Sequence, residues 1–184
     1  MERWNSLINI HMKIAIIGAQ GVGKTTLANQ ISKEYPDFKI LPEAARLAKE
    51  VRYNIDQTAT TETELWLIAK QIELEDGNEK WVADRSCIDF LAYIHHLFSK
   101  ESTLIEFATK TLVPRFYNYD LVLYLPSGQF AIEDDGARTT DIKFQRAVDT
   151  RIRNVLEKHK IPFIKIVGSP KERLAKVKNL FKKY

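Results

Sequence analysis

Short apolar runs along the chain alternate with longer stretches whose apolar residues recur every three or four positions, the pattern of strands alternating with helices. The first strand is "KIAIIG", and a helix follows from about Lys24 to Glu34. "FKIL" reads as a second strand ending at Pro42-Glu43, and "EAARLAKEVR" has helical spacing. In "ETELWLIAKQIELEDG" Leu65, Ile68, Ile72 and Glu75 fall at helical intervals, and Gly77 stops the helix. "KWVAD" is a third strand. Ser86 opens a helix over "SCIDFLAYIHHLFS", and another runs through "STLIEFATKTL" towards Pro114. "DLVLYLP" and "IPFIKIVG" are the fourth and fifth strands, with a helix from about Ile142 to Lys158 between them, and the basic helix "PKERLAKVKNLFKK" closes the chain. This alternation predicts an α/β fold with a mostly parallel sheet covered on both faces. Ligands of such sheets bind at the carboxyl ends of the strands.

The turn after the first strand carries chemistry. Gly18-Ala19-Gln20-Gly21-Val22-Gly23-Lys24-Thr25 fits G-x-x-x-x-G-K-[ST], the P-loop, in the strand, loop and helix setting that motif requires. The glycines let successive N–H groups curl inward onto phosphates, and the start of the helix adds partial positive charge. Lys24 reaches the β- and γ-phosphates and the Thr25 hydroxyl ligates Mg²⁺. Thr26 either touches the α-phosphate or caps the helix. The motif predicts a nucleoside triphosphate site made of Gly18, Gly21, Val22, Gly23, Lys24, Thr25 and Thr26.

Composition narrows the setting. A chain of 184 residues with 45% hydrophobic and 28% charged positions is that of one ordinary globular domain. No apolar run approaches the ~20 residues that cross a bilayer, so no membrane partner is expected. The single cysteine, Cys87, excludes an internal disulfide and a cysteine-based zinc cluster and fits a reducing cytoplasm. A net charge of +4 suits polyanionic ligands such as nucleotides and points only weakly to nucleic acid. Residues 1–11, "MERWNSLINIH", read as an extension without signal-peptide design, with Met12 as an alternative start, which leaves 12–184 as one P-loop domain.

Polar residues gather at the strand ends. Glu43 follows the second strand, with Arg46 on the same side of the next helix. Glu43 suits a base that takes the proton of an attacking hydroxyl, and Arg46 a clamp on a substrate phosphate; the bland alternative is a surface ion pair at a helix start. Asp84-Arg85-Ser86 ends the third strand. Asp84 is placed to orient the waters of Mg²⁺ or to act as the base in place of Glu43. Ser86 reads as an N-cap, and Asp89 as the completion of that cap. The polar stretch "SGQFAIEDDGARTTD" reads as a lid at about 127–146, in which Arg138 brings a cation over the transferring phosphoryl. Lys143, Arg151 and Arg153 read as a solvated helix face. After Gly168, Arg173 is placed to stack on a nucleotide base. His95 and His96 read as packing.

Together "GAQGVGKTT", "PEAAR", "VADRSCIDFLAY", "EDDGAR" and "GSPKERL" resemble, in that order, the small P-loop kinase-like AAA proteins. That group includes the ribosylnicotinamide kinase domain of a bifunctional NAD-biosynthesis regulator and phage thymidylate kinase-like proteins. The resemblance implies a three-layer nucleoside or nucleotide kinase fold with parallel strand order 2-3-1-4-5 and ATP as donor. It implies an acceptor held around Glu43, Arg46, Asp84 and Arg85. The thymidylate kinase P-loop substitutions and a thymine-reading glutamine are missing, so the acceptor stays open. Three functions follow: a kinase of a nucleoside or nucleoside monophosphate, a kinase of a nucleic acid hydroxyl or hydroxymethylated base, and an NTPase switch. The sequence has no N-K-x-D guanine reader, which disfavours the last. A homodimer stays open.

Overall fold

The structure, a computed structural model, describes residues 11–130 and 140–182. Strand β1 (Met12–Ile17) is a continuous apolar run because both its faces are covered, and Ile14, Ala15, Ile16 and Ile17 are fully buried. It pairs in parallel with β3 (Lys80–Asp84) on one side and β4 (Leu121–Tyr124) on the other. β2 (Lys39–Leu41) flanks β3, and β5 (Ile164–Lys165) flanks β4, so five parallel strands lie in the order β2-β3-β1-β4-β5. The expected sheet and its order are both present. Winding reverses at β1, and the crevice this opens lies at the carboxyl end of that strand.

The helices are α1 (Lys24–Glu34), α2 (Ala44–Glu50), α3 (Thr61–Asp76), α4 (Cys87–Leu97), α5 (Ser102–Phe116), α6 (Ile142–Lys158) and α7 (Pro170–Phe181). Alternate residues of β1 face opposite layers. Ile14 and Ile16 join Leu27, Ile31 and Val177 of α1 and α7 in one core, while Ala15 and Ile17 join Ile88, Leu91, Leu112, Val148 and Ile152 in the other.

Several boundaries differ from the sequence reading, each for a physical reason. β5 shortens to two residues, and Pro162, which has no N–H to give a ladder, lies just before it. α5 runs past Pro114 to Phe116 because Phe116, one turn after Leu112, is buried on the same face. α3 buries Ile68 and Glu75 of the set at helical intervals, but Leu65 is 41% exposed, and Glu64, Leu67 and Gln71 complete the inner face. Glu75 tolerates this because Gln71 Nε2 (2.8 Å) and the Tyr119 hydroxyl (2.9 Å) donate to its carboxylate. Of the expected lid, residues 131–139, Arg138 among them, lie outside the described residues, as do residues 1–10 of the expected extension. No helix among the described residues is long and apolar enough to cross a membrane.

The facing of α3 gives a direct test. Leu67→Ala is expected to cost about 2–5 kcal/mol in urea unfolding and Leu65→Ala less than about 0.5 kcal/mol. Equal losses would mean that the helix is rotated from this arrangement.

Candidate active site

The P-loop leaves β1 through a peptide that only glycine can supply. Gly18 has φ +150°, and a Cβ there would lie 2.4 Å from the Leu125 carbonyl oxygen. Gly23, at φ +88°, is the cap residue of α1 and brings no side chain, so the first N–H groups of the helix stay directed at the loop. Lys24 is buried, and its Nζ donates to the Ala19 carbonyl at 2.6 Å. Burial lowers its pKa to about 8, Arg85 adds to the effect, and the carboxylates of Asp84, Asp89 and Glu43 oppose it. Thr25 and Thr26 are exposed on the first turn of α1, Gly21 is exposed, and Val22 is buried.

Two further side chains brace this loop. Arg173 is 2% exposed; its Nη1 donates to the Val22 carbonyl at 2.6 Å and its Nε to the Gly168 carbonyl at 2.8 Å. The stacking partner of its guanidinium is the Phe130 ring, 4.8 Å away, so in this arrangement Arg173 supports the loop from behind. Gln20, which the sequence reading passed over, receives hydrogen bonds from Gln145 Nε2 at its backbone oxygen (2.7 Å) and from the Tyr93 hydroxyl at its side chain (3.1 Å). Its only signal in the sequence is its place inside the P-loop.

Facing the loop are the ends of β2 and β3. Asp84 is buried; the Thr25 hydroxyl donates to its Oδ2 at 2.5 Å, and its Oδ1 has no hydrogen-bond partner among the described residues. Burial and the neighbouring charge of Glu43 push its pKa up. A hydroxyl beside a carboxylate with an open oxygen is a donor set that suits the hard, water-keeping Mg²⁺ ion. Glu43 is the cap residue of α2, yet its carboxylate makes no cap bond. Instead Arg85 Nε donates to Oε1, and Arg46 Nε lies 3.2 Å from Oε2. Glu43 and Arg85 are buried while Arg46 is half exposed, so the bland surface-pair reading of Glu43 does not hold. Arg85 has φ +83°, a strained conformation for a residue with a side chain, of the kind that clusters at functional sites. Its Nη1 reaches the Gly18 carbonyl at 3.5 Å, and its guanidinium lies 5.0 Å from the centre of the Tyr93 ring.

Behind Arg85, Ser86 caps α4 together with Asp89, as its position suggested. A small, partly open pocket lies beside this group, lined by Ala45, Ile55, Asp56, Glu64, Arg85 and Tyr93 among others. Asp56 and Glu64 went unnoticed in the sequence, since nothing in their spacing distinguishes them from surface carboxylates. His96 packs edge-on against Phe144, in line with a packing role.

Lys24 yields a prediction of pH dependence. Its folded pKa of about 8 lies below the 10.5 of a free lysine, so between these values the unfolded chain binds more protons and stability rises with pH. Lys24→Met removes this titration, so its stability relative to wild type is expected to fall as pH rises from about 8 to about 10.5. Thermal unfolding of both proteins across that range checks it. A difference that ignores pH contradicts the burial argument.

A model of the AAA domain family matches residues 13–173. No curated protein matches the chain. Among solved structures, deoxyadenosine kinase from M. mycoides with its products dCMP and dCDP is similar at a TM-score of 0.70 and 15% identity, over 94% of this chain and 99% of that one. The NadR protein in complex with NR is similar at a TM-score of 0.79 and 17% identity, over 100% of this chain and 55% of the NadR chain. Identities this low establish a shared fold. The chain belongs to the AAA domain family, built on the P-loop fold of the nucleoside kinases.

Proposed function

We propose that the protein is a kinase that transfers the γ-phosphoryl group of ATP to a nucleoside or nucleoside monophosphate. The observation that carries this reading is a shared boundary. The P-loop and this small pocket meet at Arg85, which contacts the Gly18 carbonyl on one side and lines the pocket on the other. The aromatic wall of that pocket, Phe90 and Tyr93, and its carboxylates, Asp56 and Glu64, suit the base and the hydroxyls of one small nucleoside-like molecule. The similar structures, which hold deoxynucleotides in one case and NR in the other, support the same class of acceptor.

Each role then follows from position. The backbone of Gly18 to Gly23 and the start of α1 bind the triphosphate, and Lys24 exchanges the Ala19 carbonyl for phosphate oxygens, which restores its full charge. Thr25 and Asp84 would hold Mg²⁺, which when bound neutralises charge on the phosphates. Arg85 and Arg46 clamp the acceptor. Glu43 is the base or an acceptor ligand, with Asp84 as the other candidate for the base. Arg138 is the lid cation expected from the sequence, and Arg173 supports the donor side. Positioning and charge neutralisation supply most of the acceleration in such a reaction. The free, buried thiol of Cys87 suits a reducing cytoplasm.

The deciding experiment incubates the protein with γ-labelled ATP, Mg²⁺ and separate pools of nucleosides, nucleoside monophosphates, nicotinamide riboside and DNA. Label on a small molecule is expected. Label on DNA would make it a nucleic acid kinase, and label released only as phosphate would make it an NTPase switch. With the acceptor in hand, Lys24→Ala is expected to lose about 10³-fold or more in turnover while remaining folded. Glu43→Gln is expected to collapse turnover with ATP binding intact; full turnover in that variant would move the base to Asp84.

A further inference from the structure

We infer that Asp89 is a positioning residue for the P-loop, its carboxylate holding the Gly18 peptide in the orientation from which the phosphate-binding turn begins. The inference rests on the reading of that turn as a triphosphate site. A helix cap alone explains only half of what Asp89 does. Its Oδ2 accepts from the backbone N–H (2.8 Å) and hydroxyl (3.2 Å) of Ser86, which completes the cap of α4. Its Oδ1 accepts from the N–H of Gly18 at 2.9 Å, a residue 71 positions earlier in the chain.

Gly18 is thereby fixed on three sides. Its N–H is held by Asp89, its carbonyl oxygen lies 3.5 Å from Arg85 Nη1, and its Cα sits against the Leu125 carbonyl so closely that no side chain fits. Arg85 Nη1 is also 4.0 Å from Asp89 Oδ1, so the carboxylate, the guanidinium and the glycine peptide form one closed group. Asp89 has no exposed surface, and a buried carboxylate is stable only where its hydrogen bonds hold it in place. Both of its oxygens must accept. An asparagine of the same shape presents an NH₂ group to either Ser86 or Gly18 and loses one end of the bridge. A peptide freed at Gly18 lets the following N–H groups lose their common direction, and affinity for phosphates falls with it.

The test separates this role from capping. Asp89→Ala and Ser86→Ala, each in the full chain, both weaken the cap of α4, but only the first removes the acceptor of the Gly18 N–H. Mg·AMP-PNP is titrated into each protein by calorimetry, with unfolding curves recorded in parallel. Asp89→Ala is expected to weaken binding about tenfold or more, the scale of a lost hydrogen bond to a charged group. Ser86→Ala is expected to bind within about twofold of wild type. Wild-type affinity in Asp89→Ala, or equal weakening in the two variants, overturns the inference. A wild-type protein that binds no Mg·AMP-PNP overturns the triphosphate reading as well. Should Asp89→Ala fail to fold, hydrogen exchange in the wild type decides: the Gly18 amide is expected to be protected like those of β1, and exchange at the rate of an open loop overturns the inference.

Discussion

The site depends on one constraint: five charged side chains, Lys24, Glu43, Asp84, Arg85 and Asp89, are held out of water at the carboxyl edge of the sheet. Isolated burial of any of them would be prohibitive. Each is tolerable only beside the others or against a peptide dipole, so the protein has little freedom in where it puts them. Arg85 joins Glu43 to Gly18, Asp89 joins Gly18 to α4, and Asp84 meets Thr25 across the crevice. The β-sheet supplies the rigid edge on which this arrangement is hung.

That constraint also explains why the site is not optimised for stability. Lys24 keeps a depressed pKa, Asp84 and Asp89 keep raised ones, and Arg85 keeps a left-handed backbone. Desolvated charges of this kind interact strongly with a charged ligand because little water has to be displaced around them. A polyanion entering the crevice meets the start of α1 and a buried lysine that has only to exchange the Ala19 carbonyl for an anionic oxygen. In the kinase proposed here, the same dryness would keep water away from the transferring group and favour a bound acceptor over hydrolysis.

Much of this was readable from the sequence, because strand ends of a parallel sheet are marked by the step from apolar to polar residues. The P-loop spacing, the glutamate after β2 and the aspartate after β3 all lie at such steps. What sequence could not show is contact between distant segments. Asp89 reads as a cap from its three-residue spacing to Ser86, and its bond to Gly18 exists only because β3 lies beside β1. Arg173 reads as a base-stacking group from its loop, whereas the packing of α7 against α1 carries its guanidinium to the Val22 carbonyl. The inward face of α3 was legible at Ile68 and Glu75 but not at Glu64 and Gln71, whose polar side chains give no sign of burial, while Leu65 is exposed.

If the phosphate loop and the neighbouring pocket are two halves of one reaction site, a crystal structure of the wild-type protein with Mg·AMP-PNP fixes where the γ-phosphorus must lie. Lys24 Nζ is expected to leave the Ala19 carbonyl for the γ-phosphate, and the γ-phosphorus to face the pocket lined by Arg85 and Tyr93. A γ-phosphate directed away from that pocket, or walled off from it, would contradict the account.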